Sequence, residues 1–307
     1  GLFSSFRAPV KVVSVGNLAV GGTGKTPLVD WLVKYLLSEG KRPAVVSRGY
    51  GGTFSGDVGV VCSGQGPQLS PAEAGDEPCL LARRNPTVPV VIARKRTLGV
   101  RAVIEKFAAD IVILDDGFQH HAVQRDLDLV LVDGKFPLGN GMPLPVGVLR
   151  EFPGALRRAD LLLFTRVTED AISPPVAKPS WKSRHQLAEY AIGLEGKRVS
   201  LADLKGKRLL AFAGIAAPEN FFQGLEAAGL KAEKKLSFSD HQRYDKLTVS
   251  QIRSAAEQSE FLLTTEKDGI KLTPGMFSIP CYQVPMNIEV ENEVDFKAEI
   301  FRRLWRN

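Results

Sequence analysis

Lys25 and Thr26 directly follow Gly21-Gly22-Thr23-Gly24, and Val12-Val13-Ser14-Val15 leads into that segment. A β-branched run that empties into glycines and ends in Gly-Lys-Thr reads as a strand, a phosphate-binding loop and a helix start. Glycine lets the backbone curl until several N–H groups converge on one anion, and the following helix turns its positive end to the same point. Lys25 then reaches the outer phosphates, and Thr26 offers its hydroxyl to magnesium. The strict G-x-x-x-x-G-K-[ST] form needs glycine at 19, where this chain has Ala19. Gly16 and the pair Gly21-Gly22 are expected to supply the turn instead. The plainer alternative is a glycine-rich turn beside a solvated lysine. Context favours the loop, because a helix over 28–37 puts Leu28, Trp31, Leu32, Tyr35 and Leu36 on one face.

Acids that could serve such a site stand elsewhere. Ile111-Val112-Ile113-Leu114-Asp115-Asp116 has the form of a buried parallel strand that delivers carboxylates to a nucleotide's metal. Gly117 behind the pair leaves a simple turn as the alternative. Asp76 lies in Gly75-Asp76-Glu77-Pro78, either as the cap of a helix over 77–84 or as a general base exposed at a helix kink. Arg48 ends a strand at 44–46, either to clamp a phosphate or as a surface arginine. Arg150 and Glu151 close a Pro/Gly-rich loop over 134–148, as phosphate and metal contacts or as a surface ion pair. His241, beside Asp240, is a solvated loop histidine or the partner of a catalytic carboxylate. Thr264-Thr265-Glu266-Lys267-Asp268 does not meet the spacing of a guanine-specificity loop.

Composition limits what these residues can belong to. The chain has 307 residues, 44% hydrophobic and 24% charged, as in an ordinary folded α/β protein. Lys and Arg number 40 against 34 acids, a net charge of +6, which suits an anionic ligand or an acidic surface. No aromatic-basic motif, zinc spacing or basic recognition helix points to nucleic acid. Three separated cysteines, Cys62, Cys79 and Cys281, read as buried thiols in a reducing compartment. No apolar run has the length of a membrane span. The chain begins Gly-Leu-Phe without methionine, so a further native N-terminal segment is expected.

Strands are expected at 12–15, 44–46, 88–93, 111–114, 127–132 and 161–165, alternating with helices, which predicts a doubly wound, mostly parallel sheet. Prolines 174, 175 and 179 mark a composition break over 172–183. The expected division is a nucleotide-binding domain over 1–172, an extended linker or hairpin over 173–200, and a smaller α/β lid over 201–307. In the last, strands fall at 208–214, 261–265 and 281–284, with helices at 219–228 and 294–304. The final helix could pack back on the first domain.

Together, Ser14-Val15-Gly16-Asn17-Leu18, Gly21 to Pro27, Ser47-Arg48-Gly49-Tyr50, Gly75-Asp76-Glu77-Pro78, Asp115-Asp116-Gly117-Phe118-Gln119-His120, Leu149-Arg150-Glu151, Asp240-His241 and Thr264-Thr265-Glu266-Lys267-Asp268 resemble the tetraacyldisaccharide 4′-kinase family. The resemblance runs through nearly the whole chain in order. It implies transfer of the ATP γ-phosphate, with Mg2+, to the 4′-hydroxyl of an acylated disaccharide 1-phosphate, a step of lipid A synthesis. It further implies a peripheral position on the cytoplasmic face of the bacterial inner membrane. By the same resemblance Gly21, Gly22, Thr23, Gly24, Lys25, Thr26 and Arg48 hold the nucleotide, and Thr26, Asp115, Asp116 and Glu151 serve the metal. Asp76 is the general base, assisted by His241 when the smaller domain closes, and Lys25 supports the transfer. No obligate protein partner is implied. Family members carry a membrane-seeking segment before the first strand, and here only Leu2, Phe3 and Phe6 stand in its place. Two other readings share the loop and the acidic strand: a GTPase switch or metallochaperone, and a kinase for soluble small molecules.

Overall fold

The computed structural model describes residues 5–167 and 176–305. Leu2, Phe3, Pro174 and Pro175 lie outside the described residues. In chain order the elements are β1 (Lys11–Asn17), α1 (Lys25–Ser38), β2 (Pro43–Ser47), β3 (Gly59–Ser63), α2 (Pro71–Ala74), α3 (Asp76–Arg84), β4 (Pro89–Ile92), α4 (Arg96–Lys106), β5 (Ile111–Asp115), β6 (Leu127–Asp133) and β7 (Leu161–Thr165). There follow β8 (Ser180–Leu187), β9 (Tyr190–Gly193), β10 (Arg198–Ser200), β11 (Leu209–Ala213), α5 (Pro218–Ala227), β12 (Lys234–Ser237), α6 (Lys246–Ala255), β13 (Phe261–Thr265), α7 (Glu266–Gly269), β14 (Cys281–Val284), β15 (Met286–Val290) and α8 (Glu293–Trp305). They form two units: Gly1–His185 with Ile288–Asn307, and Gln186–Asn287.

The first unit is built on a nine-stranded sheet in the order β15-β8-β7-β6-β1-β5-β2-β4-β3. β1 pairs in parallel with β5 on one side and β6 on the other, which sets the end of the phosphate loop beside the end of the acidic strand. Every residue of β2, β5 and β7 is buried, as expected of parallel strands covered on both faces. Val12, Ala44, Val46, Val112 and Leu114 form one cluster with Val100 and Val103 of α4. Alternation sends Val13, Val15, Val45 and Ile113 to the opposite face, and α1 packs against these same strands. β3 closes the far edge antiparallel to β4.

The outer face of α1 is not left to solvent. Phe296 of α8 is fully buried, its ring 5.3 Å from Trp31 and 5.1 Å from Trp181. Tyr35 donates its hydroxyl to the Lys297 carbonyl at 2.9 Å, and Trp31 donates to Glu293 at 2.9 Å. Burying a phenylalanine contributes about 2–3 kcal/mol, so α8 is an integral wall of this unit.

The second unit has a six-stranded sheet in the order β10-β9-β14-β13-β11-β12. The β11, β12, β13 and β14 ladders are parallel, and β9 with β10 forms an antiparallel edge. Phe221, Phe222 and Leu225 of α5 pack on Leu209, Ala211 and Leu263. The alternate residues Leu210, Phe212 and Leu262 pack with Val249 and Ile252 of α6.

Three features differ from the sequence reading. The units do not part at 172 and 201: β8 lies in the first sheet, β9 and β10 in the second, and β15 belongs with the first unit, where α8 also packs back as the sequence reading allowed. Gly16 does not make the loop turn; it lies in β1, where a Cβ would come 2.6 Å from Phe118 Cβ. Phe6 is not a membrane-seeking remnant. Its amide donates to the Ala122 carbonyl at 2.8 Å, and the Arg101 guanidinium stacks 4.1 Å from its ring. Cys62, Cys79 and Cys281 are each buried. Among the described residues no helix is long and apolar enough to cross a membrane.

Candidate active site

The loop after β1 turns at Gly21 and Gly24, whose φ angles of 114° and 89° lie where only glycine sits without strain. Its shape is held from inside by Asn17, which is fully buried. The Asn17 amide donates to the Ala19 carbonyl at 2.7 Å and to the Thr23 hydroxyl at 2.8 Å. Lys25 donates back to Asn17 Oδ1 at 3.3 Å. Gly24 caps α1 without a side-chain bond, so the first N–H groups of α1 have no side-chain oxygen at its cap and face the loop's concavity. Thr26 is the second residue of that helix.

The acidic pair arrives from the neighbouring strand and splits into two roles. Asp115, at 4% exposure, accepts from the Ser47 hydroxyl at 2.8 Å. Burial, and then the charge of Asp116 beside it, push its carboxyl up to about 6. Asp116 takes a positive φ of 54° and turns toward Lys25 Nζ at 3.6 Å. Both its oxygens accept from Arg150 Nη1 at 2.8 Å. Burial opposes its ionisation, but Lys25 and Arg150 outweigh burial and hold the carboxyl below its ordinary range.

Arg150 reaches this position because its loop pairs with the phosphate loop. Val20 N donates to the Val148 carbonyl at 2.8 Å and Arg150 N to the Leu18 carbonyl at 2.7 Å. Gln119 ties the same corner, donating to the Asn17 carbonyl at 3.0 Å. Glu151 is not brought to the acids; its carboxylate receives Arg158 at 2.8 and 2.9 Å. Arg96, 2% exposed, donates to the Ala93 and Asp115 carbonyls at 2.7 and 3.3 Å. Burial lowers its guanidinium to about 10 against the pull of Asp115. Burial and Arg96 together lower His120 to about 4, which keeps that imidazole neutral. Arg48 is exposed just beyond β2. Its charge adds to the shifts of Arg96 and His120, so it lies near the same corner.

Asp76 is the first residue of α3 and 7% exposed. The cap position itself is Gly75, and Asp76 stands one residue inside it, in the first turn of the helix. The Gly49-Tyr50 loop lies against Gly75, where a Cβ would come 2.3 Å from the Tyr50 carbonyl oxygen. Close backbone approach thus fixes where the helix starts and where its first carboxylate stands.

His241 belongs to the second unit and also takes a positive φ, 59°. Its Nε2 is 3.3 Å from Lys267 Nζ and 3.8 Å from Asp240 Oδ2, and Lys267 reaches Asp240 at 3.2 Å. Lys267 comes from α7, which is capped by Thr265 accepting from Asp268 N. The Thr-Thr-Glu-Lys-Asp stretch, which carried no nucleotide preference as a sequence, therefore folds to place a lysine on the histidine.

Asn17, Ser47 and Lys267 stood in the quoted motifs without a role of their own, and Arg96 was not singled out from the sequence. Their roles depend on partners that lie far along the chain or, for Asn17, on a loop shape that spacing does not specify. The Thr26 hydroxyl and the Asp115 and Asp116 carboxylates are the hard oxygens that could serve a divalent ion. No group of three or more His, Cys, Asp or Glu residues that could hold a metal occurs among the described residues. Magnesium characteristically takes one or two carboxylates and completes its shell with phosphate oxygens and water, so this sparse set fits it.

A lysine and helix N-terminus facing an acidic strand end, on a doubly wound sheet, define a P-loop protein built to hold a polyphosphate. The family model for LpxK, tetraacyldisaccharide-1-P 4′-kinase, matches residues 1–304, and the chain belongs to that family. A tetraacyldisaccharide 4′-kinase of Syntrophotalea carbinolica is 51% identical over 289 residues, covering 94% of this chain and 81% of that protein. One from Geobacter sulfurreducens is 46% identical, covering 85% and 74%. The crystal structure of LpxK from Aquifex aeolicus in complex with ATP superposes with a TM-score of 0.84 at 33% identity, covering 99% of this chain and 91% of that one.

Proposed function

We propose that this protein binds ATP with Mg2+ and transfers the γ-phosphate to the 4′-hydroxyl of tetraacyldisaccharide 1-phosphate. The observation that carries this reading is the convergence of Lys25, Asp116 and Arg150 at the mouth of the glycine loop, in a chain of the 4′-kinase family. The loop amides of 21–24 and Lys25 hold the phosphates, with Arg48 at the rim. Thr26, Asp115 and Asp116 would hold magnesium, which supplies charge neutralisation along the phosphates. Glu151 would join them only by releasing Arg158.

Phosphoryl transfer needs positioning and charge stabilisation more than covalent help. The residues divide that work. Arg150 and Lys25 keep Asp116 ionised, while Ser47 orients Asp115. Asp76, at the positive end of α3, accepts the proton of the attacking hydroxyl. His241, with Asp240 and Lys267 around it, supports Asp76. The acylated acceptor and the excess of basic residues favour peripheral contact with the inner-membrane surface, on its cytoplasmic face.

The test is phosphate incorporation from γ-labelled ATP into purified tetraacyldisaccharide 1-phosphate. Label in the lipid, absent with Lys25→Ala, is the expected result. Hydrolysis of GTP without any acceptor would replace the kinase by a switch protein, and labelling of acyl-free sugars alone would replace it by a soluble kinase.

A further inference from the structure

Among the described residues, exposed large apolar side chains are most numerous on one loop of the first unit. Phe136, Leu144, Val146 and Phe152 are 65%, 59%, 68% and 64% exposed, and Met142 and Val148 stand out beside them. Apolar residues scattered singly over a surface mean little, but a run of them on one segment marks an interaction site.

The loop that carries them pairs much of its own backbone. Asn140 donates to the Val146 carbonyl at 3.0 Å and accepts from Met142 N at 3.1 Å. Leu144 N donates to the Leu149 carbonyl, Leu149 N to the Met142 carbonyl, and Val146 N and Gly147 N both to the Pro143 carbonyl. Pro143 and Pro145 have no N–H to satisfy. Leu149 is fully buried and anchors the base. Entry of backbone into an apolar phase is costly unless its polar groups are paired internally, and here many of them are.

Basic side chains are in excess around the loop, and Asp133 just before it is paired with Arg166. Lys135 and Arg157 are exposed at its two ends, and Glu151, the sole acid in residues 134–152, is neutralised by Arg158. Half a dozen side chains on one loop fall short of the roughly 20–30 residues a side that a stable protein interface uses. They are enough for shallow insertion between lipids, where apolar area and basic residues act together.

We infer that residues 136–152 form a wedge that enters the acyl region of an anionic bilayer, with Lys135 and Arg157 on its headgroups. The wedge is bonded to the phosphate loop through Val20 and Leu18, so insertion holds Lys25 at the level where a membrane-held acceptor presents its sugar. This rests on the acylated acceptor of the proposed function.

The experiment uses the full chain with vesicles of phosphatidylethanolamine and phosphatidylglycerol. Leu144→Ser with Val146→Ser should weaken vesicle binding at least about tenfold, with nucleotide affinity unchanged. Leu144→Trp, which keeps the loop apolar, should be quenched by vesicles whose acyl chains carry bromine. Unchanged vesicle binding of the serine variant, or an unquenched Trp at 144, overturns the wedge. Self-association of the wild type that the serine variant abolishes would likewise replace the lipid by a second copy of the chain. If no phosphate reaches the acylated disaccharide yet the serine variant still leaves vesicles, the kinase reading falls and the wedge stands.

Discussion

Arg150 grips both carboxylate oxygens of Asp116 at 2.8 Å, from a loop thirty-odd residues further along the chain. The bond joins the acidic strand to the segment that also braces the phosphate loop. Arg150→Ala removes a charge-assisted bond and one of the two cations that keep Asp116 ionised. The expected loss in kcat/KM for nucleotide is on the order of ten- to a hundredfold. A thermal melt run alongside separates this from a loosened loop, and an unchanged kcat/KM would leave Arg150 with a bracing role only.

Asp76→Ala should lower kcat by a factor on the order of 10² to 10⁴ while nucleotide affinity is kept. Asp76→Asn, which preserves shape at the start of α3, should do nearly the same. Turnover retained in the asparagine variant would show that the carboxylate serves the helix and not the proton.

Asp115 ties the stability of the metal-free protein to pH. Its folded carboxyl titrates near about 6, above the ordinary value of 3.8. The stabilising contribution of its protonated form is therefore complete below about pH 3.8 and lost as pH rises through about 6. Measured by urea unfolding, the wild type should lose stability relative to Asp115→Asn across that window. A divalent ion favours the ionised carboxylate, so added Mg2+ should shift this loss of stability to lower pH. Stability that climbs with pH relative to the variant in metal-free buffer contradicts the assignment.

Gly75→Ala tests the joint that positions Asp76. The residue has φ 90°, and its new methyl would meet the Tyr50 carbonyl at 2.3 Å. Gly51→Ala is the control, with φ 78° and open space around its Cβ. Both substitutions put a side chain at positive φ, which at Gly75, with ψ 161°, costs about 1–3 kcal/mol, and only Gly75→Ala must also displace backbone. Denaturant melts should therefore place Gly75→Ala lower, by a further 1–3 kcal/mol or so, together with reduced turnover. Equal melts for the two variants would remove the joint from the account.

His241→Ala, Asp76→Ala and the double variant form a cycle. Residues acting as one unit give losses that do not multiply, so the double variant should be little slower than Asp76→Ala alone. Multiplicative losses would detach His241 from the proton transfer.

The glycine loop, α1 and the acidic β5 were legible in the sequence because each is a local pattern: an apolar run, a punctuation of glycines, a period. β13 and β14 fall at 261–265 and 281–284, as expected from the sequence. Arg150 was legible only as a candidate, since its place depends on residues 148–150 pairing with 18–20. Neither Ser47 nor Arg96 advertises itself, because each acts by bonding Asp115 across a sheet whose strand order no local pattern states. The units were misdrawn for a related reason. Prolines near 172–183 resemble a boundary, yet the sheet resumes at β8, and the short β15 with its mixed side chains gives little sign that the chain has come back. α6 was passed over, though Asp245 caps it by accepting from Thr248 N at 2.9 Å.

That return of the chain has a consequence for biosynthesis. Residues 186–287 are threaded into the larger unit as an insertion, so they can reach their final shape before the unit that begins the chain reaches its own. Until β15 and α8 emerge from the ribosome, the rim of β8 lacks its neighbour and Trp31 and Tyr35 stand bare. While residues 186–287 are being made, the nascent protein thus carries a sticky aromatic flank, the kind of exposed surface that chaperones shield.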